Sequence, residues 1–118
     1  MEVEKEIQVF SVIPKEDCSH IKESFVELQG KVEVRGSCKE CQDKSENWLC
    51  CKCHQVFCSR YVNQHFANHF EIDNEHCIGI SFSDLSVWCN KCESYIKSPL
   101  ILPSLKIVSQ SKFGEEEN

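Results

Sequence analysis

The sequence lacks long apolar runs and an excess of basic residues, and each absence excludes a class of protein. Its uninterrupted apolar stretches are only a few residues long, whereas a transmembrane helix needs about 20 apolar residues. Its 13 basic and 19 acidic residues give a formal net charge of -6, which argues against a general affinity for nucleic-acid phosphates or anionic lipid. We therefore expect neither nucleic acid nor a membrane among its partners.

A secretory signal is also lacking. The chain opens Met-Glu-Val-Glu-Lys-Glu, whereas a signal peptide has a positive start followed by an apolar core. We therefore expect a cytoplasmic or nuclear protein. Structural disulfides are rare in those reducing compartments, where cysteine-rich patterns more often bind metal. Ten of the 118 residues are cysteine, a share typical of short chains held together by disulfides or metal.

The length of 118 residues is that of one ordinary domain, without a repeat or a low-complexity linker. We predict an N-terminal strand or tail over residues 1–16, a working domain over 17–114 and an acidic tail over 115–118. Within the domain, short strands are predicted at 31–35, 78–82, 87–88 and 94–96.

Two helices are also predicted. Residues 60–70 contain no Gly or Pro and place Tyr61, His65 and His69 at helical i, i+4 spacing. A C-terminal helix after Pro103 would carry Leu105, Val108 and Phe113 on one side and end at Gly114.

Three Cys-x-x-Cys pairs stand out: Cys38 with Cys41, Cys50 with Cys53, and Cys89 with Cys92. Such a turn presents two thiolates to one Zn²⁺, and a tetrahedral ion needs two further ligands from elsewhere. The further candidates are Cys18, His20, Cys58, His65, His69 and His76. Together these are eight Cys and four His, enough for three closed tetrahedral sites. We therefore predict three structural zinc ions.

Three residues lie off these spacings. We interpret Cys51 and Cys77 as buried small hydrophobic residues or spare thiols, and His54 as an ordinary surface or core histidine. Cys50 and Cys51 are adjacent, and only the Cys-x-x-Cys geometry favours Cys50 as the ligand.

Other readings of the cysteines and histidines fit less well. A thioredoxin-like redox motif needs one Cys-x-x-Cys in a βαβ setting, which is absent. His65 and His69 have the spacing of a zinc-protease pair, but Phe66 stands where that chemistry needs a glutamate. A RING finger needs Cys-x-His-x-x-Cys-x-x-Cys in its middle, whereas three histidines follow Cys58 before the last pair. A catalytic zinc also keeps one position open, so closed sites indicate structural metals.

The ligand order resembles that of the UBP-type ubiquitin-binding zinc finger, which occurs in deubiquitinating enzymes and at the C-terminus of a cytoplasmic histone deacetylase. The deacetylase finger is the most similar. The matching stretches are residues 47–50 (NWLC), 54–61 (HQVFCSRY), 81–89 (SFSDLSVWC) and 112–115 (KFGE). The resemblance extends from about Cys18 to Glu115, nearly the whole chain.

This resemblance implies an α+β fold, a small twisted sheet with one or two helices and three interleaved zinc sites. It groups the ligands as follows: Cys18, His20, Cys89 and Cys92; Cys38, Cys41, Cys58 and His65; Cys50, Cys53, His69 and His76.

The resemblance also implies a function, which is to hold the free C-terminal tail of ubiquitin, ending Leu-Arg-Gly-Gly with a carboxylate. Arg60 matches the arginine of the family, whose planar fork binds a carboxylate or carbonyl. Trp48, Tyr61, Trp88 and Tyr95 match the aromatic positions of the family. Asp84 lies in the matching loop, where it would help to hold the slot or pair with a basic residue of the tail.

Two positions depart from the family pattern. Asn90, the seventh predicted tail-binding residue, replaces an aromatic residue that forms a wall in the deacetylase finger, and Ser59 stands where a glycine precedes the arginine, so we expect weaker affinity. We thus expect a monomeric, non-catalytic ubiquitin-binding module. The alternatives are a zinc-dependent scaffold domain that does not bind ubiquitin, and a fragment of a larger deacetylase or deubiquitinase.

Overall fold

The computed structural model describes residues 14–30, 32–34, 36–59 and 61–113. In this part of the chain the elements are α1 (Ile21–Ser24), β1 (Asn47–Cys50), β2 (Val56–Cys58), α2 (His65–Ile72), β3 (Ile78–Ser81), β4 (Val87–Cys89), β5 (Ser94–Tyr95) and α3 (Leu102–Phe113). The α+β class is confirmed.

The five strands form one antiparallel sheet in the order β2-β1-β3-β4-β5. Central strand β3 is buried along its whole length, as expected for a strand covered on both faces. At its neighbours, Leu49 of β1 pairs with Ile80, and Ile80 pairs with Val87 of β4. At the edge, Trp88 of β4 pairs with Tyr95 of β5. This last pair places two large aromatic side chains side by side on one face.

The apolar core is small and lies between the sheet and α3. Its most buried aliphatic members are Leu49, Ile78, Ile80, Ile101 and Val108. A second cluster, made of Cys50, Phe57 and Phe66, lies under α2 on the sheet. Gly79 is required there, because a Cβ at this position would overlap the Phe66 ring. A core of this size gives a domain of this length only marginal stability unless bound metal or disulfides add to it.

The predicted strands at 78–82, 87–88 and 94–96 are confirmed to within one residue. The strand predicted at 31–35 is wrong for its described residues 32–34, which lie in irregular structure. There the Val32 N–H donates to the Ser111 hydroxyl of α3, and the Gly36 N–H donates to the Glu33 carbonyl in a local turn. These donors are therefore not available to a ladder.

The helices also differ from the prediction in detail. Helix α2 begins at His65 rather than at residue 60, because Gln64 adopts a left-handed backbone with φ 59°. On α3, of the three residues predicted on one side, Val108 is buried, Leu105 is half-buried and Phe113, at the end of the helix, is 56% exposed. Residues 1–13 and 114–118, including Gly114, lie outside the described part of the chain. None of the described helices is long and apolar enough to span a bilayer.

Candidate zinc centres and an aromatic cleft

The twelve candidate ligands come together in three groups, and in each group the four ligand atoms lie within 4.8 Å of one another. We name these groups zinc site 1 (Cys18, His20, Cys89, Cys92), zinc site 2 (Cys38, Cys41, Cys58, His65) and zinc site 3 (Cys50, Cys53, His69, His76). They are the groups that the family resemblance implies. The chain segments of the sites overlap, so the sites are interleaved.

Zinc site 1 joins the N-terminal part of the domain to the end of the sheet. The Nδ1 atom of His20 lies 3.6 Å from Cys18 Sγ and 3.4 Å from the sulfurs of Cys89 and Cys92. A tetrahedral zinc with bonds of about 2.0–2.3 Å separates a sulfur from a nitrogen ligand by about 3.5 Å. The observed spacing therefore fits a zinc ion.

Zinc site 2 lies at the start of α2. His65 Nδ1 is 3.4 Å from Cys38 Sγ and 3.4 Å from Cys58 Sγ, and the sulfurs of Cys41 and Cys58 are 3.9 Å apart. A disulfide would bring two sulfurs to about 2.05 Å, and all ten cysteines are free. The amide of Asn63 donates to Cys41 Sγ at 3.3 Å. Such donors around a site offset the charge of the thiolates.

Zinc site 3 uses the middle of α2 and the loop that follows it. His76 Nδ1 lies 3.4 Å from Cys50 Sγ, His69 Nε2 lies 3.5 Å from Cys53 Sγ, and the two nitrogens are 2.9 Å apart. The carboxylate of Asp73 lies 3.4 Å from the other ring nitrogen of His76. A carboxylate in this position fixes the tautomer and ring orientation of a ligand histidine. Helix α2 thus supplies His65 to one site and His69 to another.

Each Cys-x-x-Cys turn is closed by a residue with left-handed backbone: Gln42 with φ 65°, His54 with φ 64° and Glu93 with φ 52°. The N–H groups of Gln42 and His54 each donate to the carbonyl of the first cysteine of the pair at 2.8 Å. Glycine adopts this conformation at no steric cost, but none of the three positions is a glycine, so the left-handed residue that closes each turn was not predicted from the sequence. Zinc bound by the two cysteines of each turn would hold this backbone conformation in place.

Cys51, His54 and Cys77, which were not predicted as zinc ligands from the sequence, also lie outside the three ligand groups of the structure. Cys51 and Cys77 are buried in the main core at 1% and 0% exposure. Burial raises the pKa of the Cys51 thiol well above its ordinary value, so this thiol is neutral. The ring of His54 instead contacts the Val26 carbonyl, with Nε2 at 2.7 Å.

Next to zinc site 1 the sheet carries a cleft of about 270 Å³. We call it the aromatic cleft. Six of the seven predicted tail-binding residues line it: Trp48, Tyr61, Asp84, Trp88, Asn90 and Tyr95. The seventh, Arg60, lies outside the described residues.

The walls of the aromatic cleft are ordered by ring contacts. Trp48 stacks on Phe66 of α2, with ring centroids 5.7 Å apart and an interplanar angle of 6°. Trp88 meets Tyr95 edge to face at 5.0 Å and 79°, and the indole N–H of Trp88 donates to Asn90 Oδ1 at 2.9 Å. Aromatic pairs of this geometry add to the stabilisation from burial. Tyr61 is 73% exposed.

The polar side of the cleft is the loop between β3 and β4. The Asp84 carboxylate accepts hydrogen bonds from the Ser86 hydroxyl at 2.7 Å and the Ser86 N–H at 3.1 Å. Burial pushes the pKa of Asp84 upward, but the hydrogen bonds outweigh it and the pKa lies below its ordinary value. The Lys112 ammonium of α3 donates to the carbonyls of Phe82 and Ser83, both at 2.6 Å. This lysine was missed from the sequence, although it lies in a matching stretch.

A cleft of this volume is at the low end for ligand pockets, so it suits a thin segment such as an extended backbone with small side chains. A wider groove of about 730 Å³ adjoins it and shares Asp84, Ser86 and Tyr95 with it. None of the described residues lining either cavity is a cysteine or a histidine.

The small α+β fold with three Cys/His centres defines a zinc-finger domain. Residues 38–101 match the family described as a zinc finger in ubiquitin hydrolases and other proteins. The chain belongs to this family, which confirms the resemblance.

Similar proteins include two deacetylases and a ubiquitin hydrolase. Histone deacetylase 6 of Caenorhabditis elegans is 37% identical over 89% of this chain and 11% of its own length. The NAD-dependent deacetylase sir2A of Dictyostelium discoideum is 34% identical over 93% of this chain and 22% of its own length. Ubiquitin carboxyl-terminal hydrolase 44 of Xenopus tropicalis is 30% identical over 60% of this chain and 11% of its own length. The chain thus spans a small part of each of these relatives.

Among solved structures, the SAGA deubiquitinase module containing Ubp8, bound to monoubiquitin, aligns with a TM-score of 0.48 and 19% identity over 73% of this chain and 19% of that chain.

Proposed function

We propose that this domain is a non-catalytic module that binds the free C-terminal tail of ubiquitin, ending in Gly-Gly and a carboxylate. Membership of the zinc-finger family of ubiquitin hydrolases supports ubiquitin binding. The observation that carries the tail-binding proposal is the aromatic cleft, because it combines narrow walls made by Trp48, Trp88 and Tyr95 with a small volume of about 270 Å³. A glycine backbone, which has no side chain, is thin enough to enter a cleft of this size.

The proposed roles follow from the chemistry of the tail. The indole and phenol rings would cover the Gly-Gly backbone and exclude water from it. Arg60, for which the family resemblance is the only support, would bind the terminal carboxylate through its planar fork. Asp84 is ionised near neutral pH, and its carboxylate would pair with the basic residue that precedes the two glycines.

Two observations support a non-catalytic role. Each zinc site has four protein ligands, which leaves no open position for an activated water. The described lining of the aromatic cleft contains no histidine and no cysteine, so it offers no serine–histidine or cysteine–histidine pair for nucleophilic catalysis. The enzymatic activities of the longer relatives are therefore not assigned to this domain.

Titration calorimetry with ubiquitin, and with ubiquitin lacking its last two glycines, tests the proposal. We expect a Kd of about 1 μM or somewhat tighter for the intact protein and no measurable heat for the truncated one. Equal affinity for the two forms would refute tail binding. Failure to bind either form would favour the zinc-dependent scaffold domain.

The variant Arg60→Ala tests the carboxylate contact. We expect it to lose most of the affinity while still holding three zinc ions, because this side chain belongs to no zinc site. Lys106→Ala, a change at an exposed cation outside the cleft lining, is the matched control and should bind like the original domain.

A further inference from the structure

Cys77 is a buried thiol that neither the zinc sites nor the aromatic cleft uses. It precedes β3 in the main core and is 0% exposed. Its Sγ lies 3.2 Å from Ser24 Oγ at the end of α1 and 3.9 Å from Sγ of Cys89, a ligand of zinc site 1. Its carbonyl accepts a hydrogen bond from the Asn90 N–H at 2.7 Å. Cys77 therefore contacts a ligand of zinc site 1 through its side chain, and through its backbone it contacts the turn between Cys89 and Cys92.

The direction of these hydrogen bonds follows from the available protons. When Cys89 binds zinc it is a thiolate without a proton, so the only S–H in this contact belongs to Cys77. A charged sulfur is a stronger acceptor than a hydroxyl oxygen, so the Cys77 S–H is directed to Cys89. The Ser24 hydroxyl can rotate, and it then donates to Cys77 Sγ.

We propose that Cys77 is a positioning residue of zinc site 1, in which its thiol donates a hydrogen bond to the Cys89 thiolate and is itself oriented by the Ser24 hydroxyl. The proposal concerns the metal site and does not depend on ubiquitin binding.

The charge of the site explains why such a donor is needed. Zinc site 1 contains three thiolates and one Zn²⁺, so its net charge is -1. Cys89 is 0% exposed, so water cannot stabilise its sulfur, and a buried charge is costly without hydrogen bonds. The Cys92 N–H, at 3.4 Å, is the other described donor to this sulfur. A thiol donor therefore favours the zinc-bound form over a protonated, dissociated one.

Zinc site 2 offers an independent parallel. It also has three thiolates, and there the Asn63 amide donates to Cys41 Sγ at 3.3 Å. Cys41 is half-buried, and an amide on an exposed residue can serve it. Cys89 is enclosed by the core, where a small apolar donor such as a thiol fits better than an amide.

The substitutions Cys77→Val and Cys77→Ser separate hydrogen bonding from packing. Valine fills the apolar site but cannot donate, whereas serine donates but is more polar than the core around it. We expect Cys77→Val to release one of the three zinc ions to a chelator about tenfold faster than the original domain, and Cys77→Ser to release it at nearly the original rate. The zinc-loaded domain is used, and released metal is read with a zinc indicator dye.

Cys51 is the matched control, since it is a second cysteine of the same core at 1% exposure and lies outside the three ligand groups. At Cys51 we expect the opposite order: Cys51→Val should release zinc more slowly than Cys51→Ser. The reason is that serine would bury a hydroxyl group that has no hydrogen-bond partner, which lowers stability. Ser24→Ala should accelerate the release of the same zinc ion as Cys77→Val, by a smaller factor.

Cadmium NMR of the domain loaded with ¹¹³Cd identifies the affected site. Cys77→Val should shift the resonance that couples to the Cys89 β-protons, and Cys77→Ser should leave it near its original position. Unchanged zinc release in Cys77→Val, or faster release in Cys77→Ser than in Cys77→Val, would overturn the proposal. If Cys77→Val does not fold, a tenfold faster release from Cys77→Ser would overturn it as well.

Discussion

Complete removal of zinc should unfold the domain, and the structure sets the scale of the effect. Five aliphatic side chains are almost completely buried, namely Leu49, Ile78, Ile80, Ile101 and Val108. At about 2 kcal/mol each they contribute about 10 kcal/mol in total. A single structural zinc site contributes about 10 kcal/mol or more, which matches the whole net stability of a typical domain. Loss of all three ions, about 30 kcal/mol by this measure, therefore exceeds the net stability of a domain of this size.

The assay is circular dichroism of the domain before and after chelation under reducing conditions, with metal content followed by elemental analysis. We expect three equivalents of zinc in the folded protein, loss of both the far-UV and the near-UV signals on chelation, and recovery when zinc is returned. Recovery is the control, because oxidation of the cysteines would prevent it. A metal-free domain with unchanged spectra would refute the reasoning, as would cysteines found paired as disulfides.

Three further predictions concern the aromatic cleft. Trp88→Ala should weaken ubiquitin binding by about 2 kcal/mol, or about 30-fold in Kd by calorimetry, with three zinc ions retained; unchanged affinity would contradict its role as a wall. Lys112→Met removes both hydrogen bonds to the β3–β4 loop and should lower the unfolding free energy by about 2 kcal/mol in a denaturant titration; the exposed control Lys106→Met should have no effect. Because the pKa of Asp84 is lower in the folded protein than in the unfolded chain, its ionised form contributes stability above the ordinary carboxyl pKa, and that contribution is lost as the pH falls through the folded value. Ser86→Ala should raise the pKa of Asp84 in a carboxyl NMR titration, and the ubiquitin affinity of the original domain should show no Asp84 titration between about pH 6 and 8.

The metal sites could be predicted because zinc chemistry restricts the sequence strongly. A Cys-x-x-Cys turn is short enough to be recognised without a structure. The division of twelve residues into three groups came only from the family resemblance, since spacing alone does not say which distant pair completes a given turn. His65 and His69 illustrate the problem, because they lie four residues apart on α2 yet belong to different sites.

The strands β1 and β2 were not predicted, although β4 and β5, which are no longer than these, were. With four and three residues, β1 and β2 are short enough that an alternating pattern is not a reliable signal. Helix α1 has only four residues and gave no helical period. The late start of α2 also escaped prediction, because Gln64 is not a glycine and its left-handed backbone is imposed by the surrounding structure. In each case tertiary contacts and metal sites override local preference.

The way the three sites are nested along the chain has a consequence for biosynthesis. The ligand set of zinc site 2 is complete at His65 and that of zinc site 3 at His76, whereas the ligand set of zinc site 1 is complete only at Cys92. A nascent chain leaving the ribosome can therefore load its first two ions while the last strands are still being made. Trp88 directly precedes Cys89 of zinc site 1, and its partner Tyr95 follows Cys92, so a chain that ends before Cys92 has the ligands of two zinc sites but lacks one wall of the aromatic cleft.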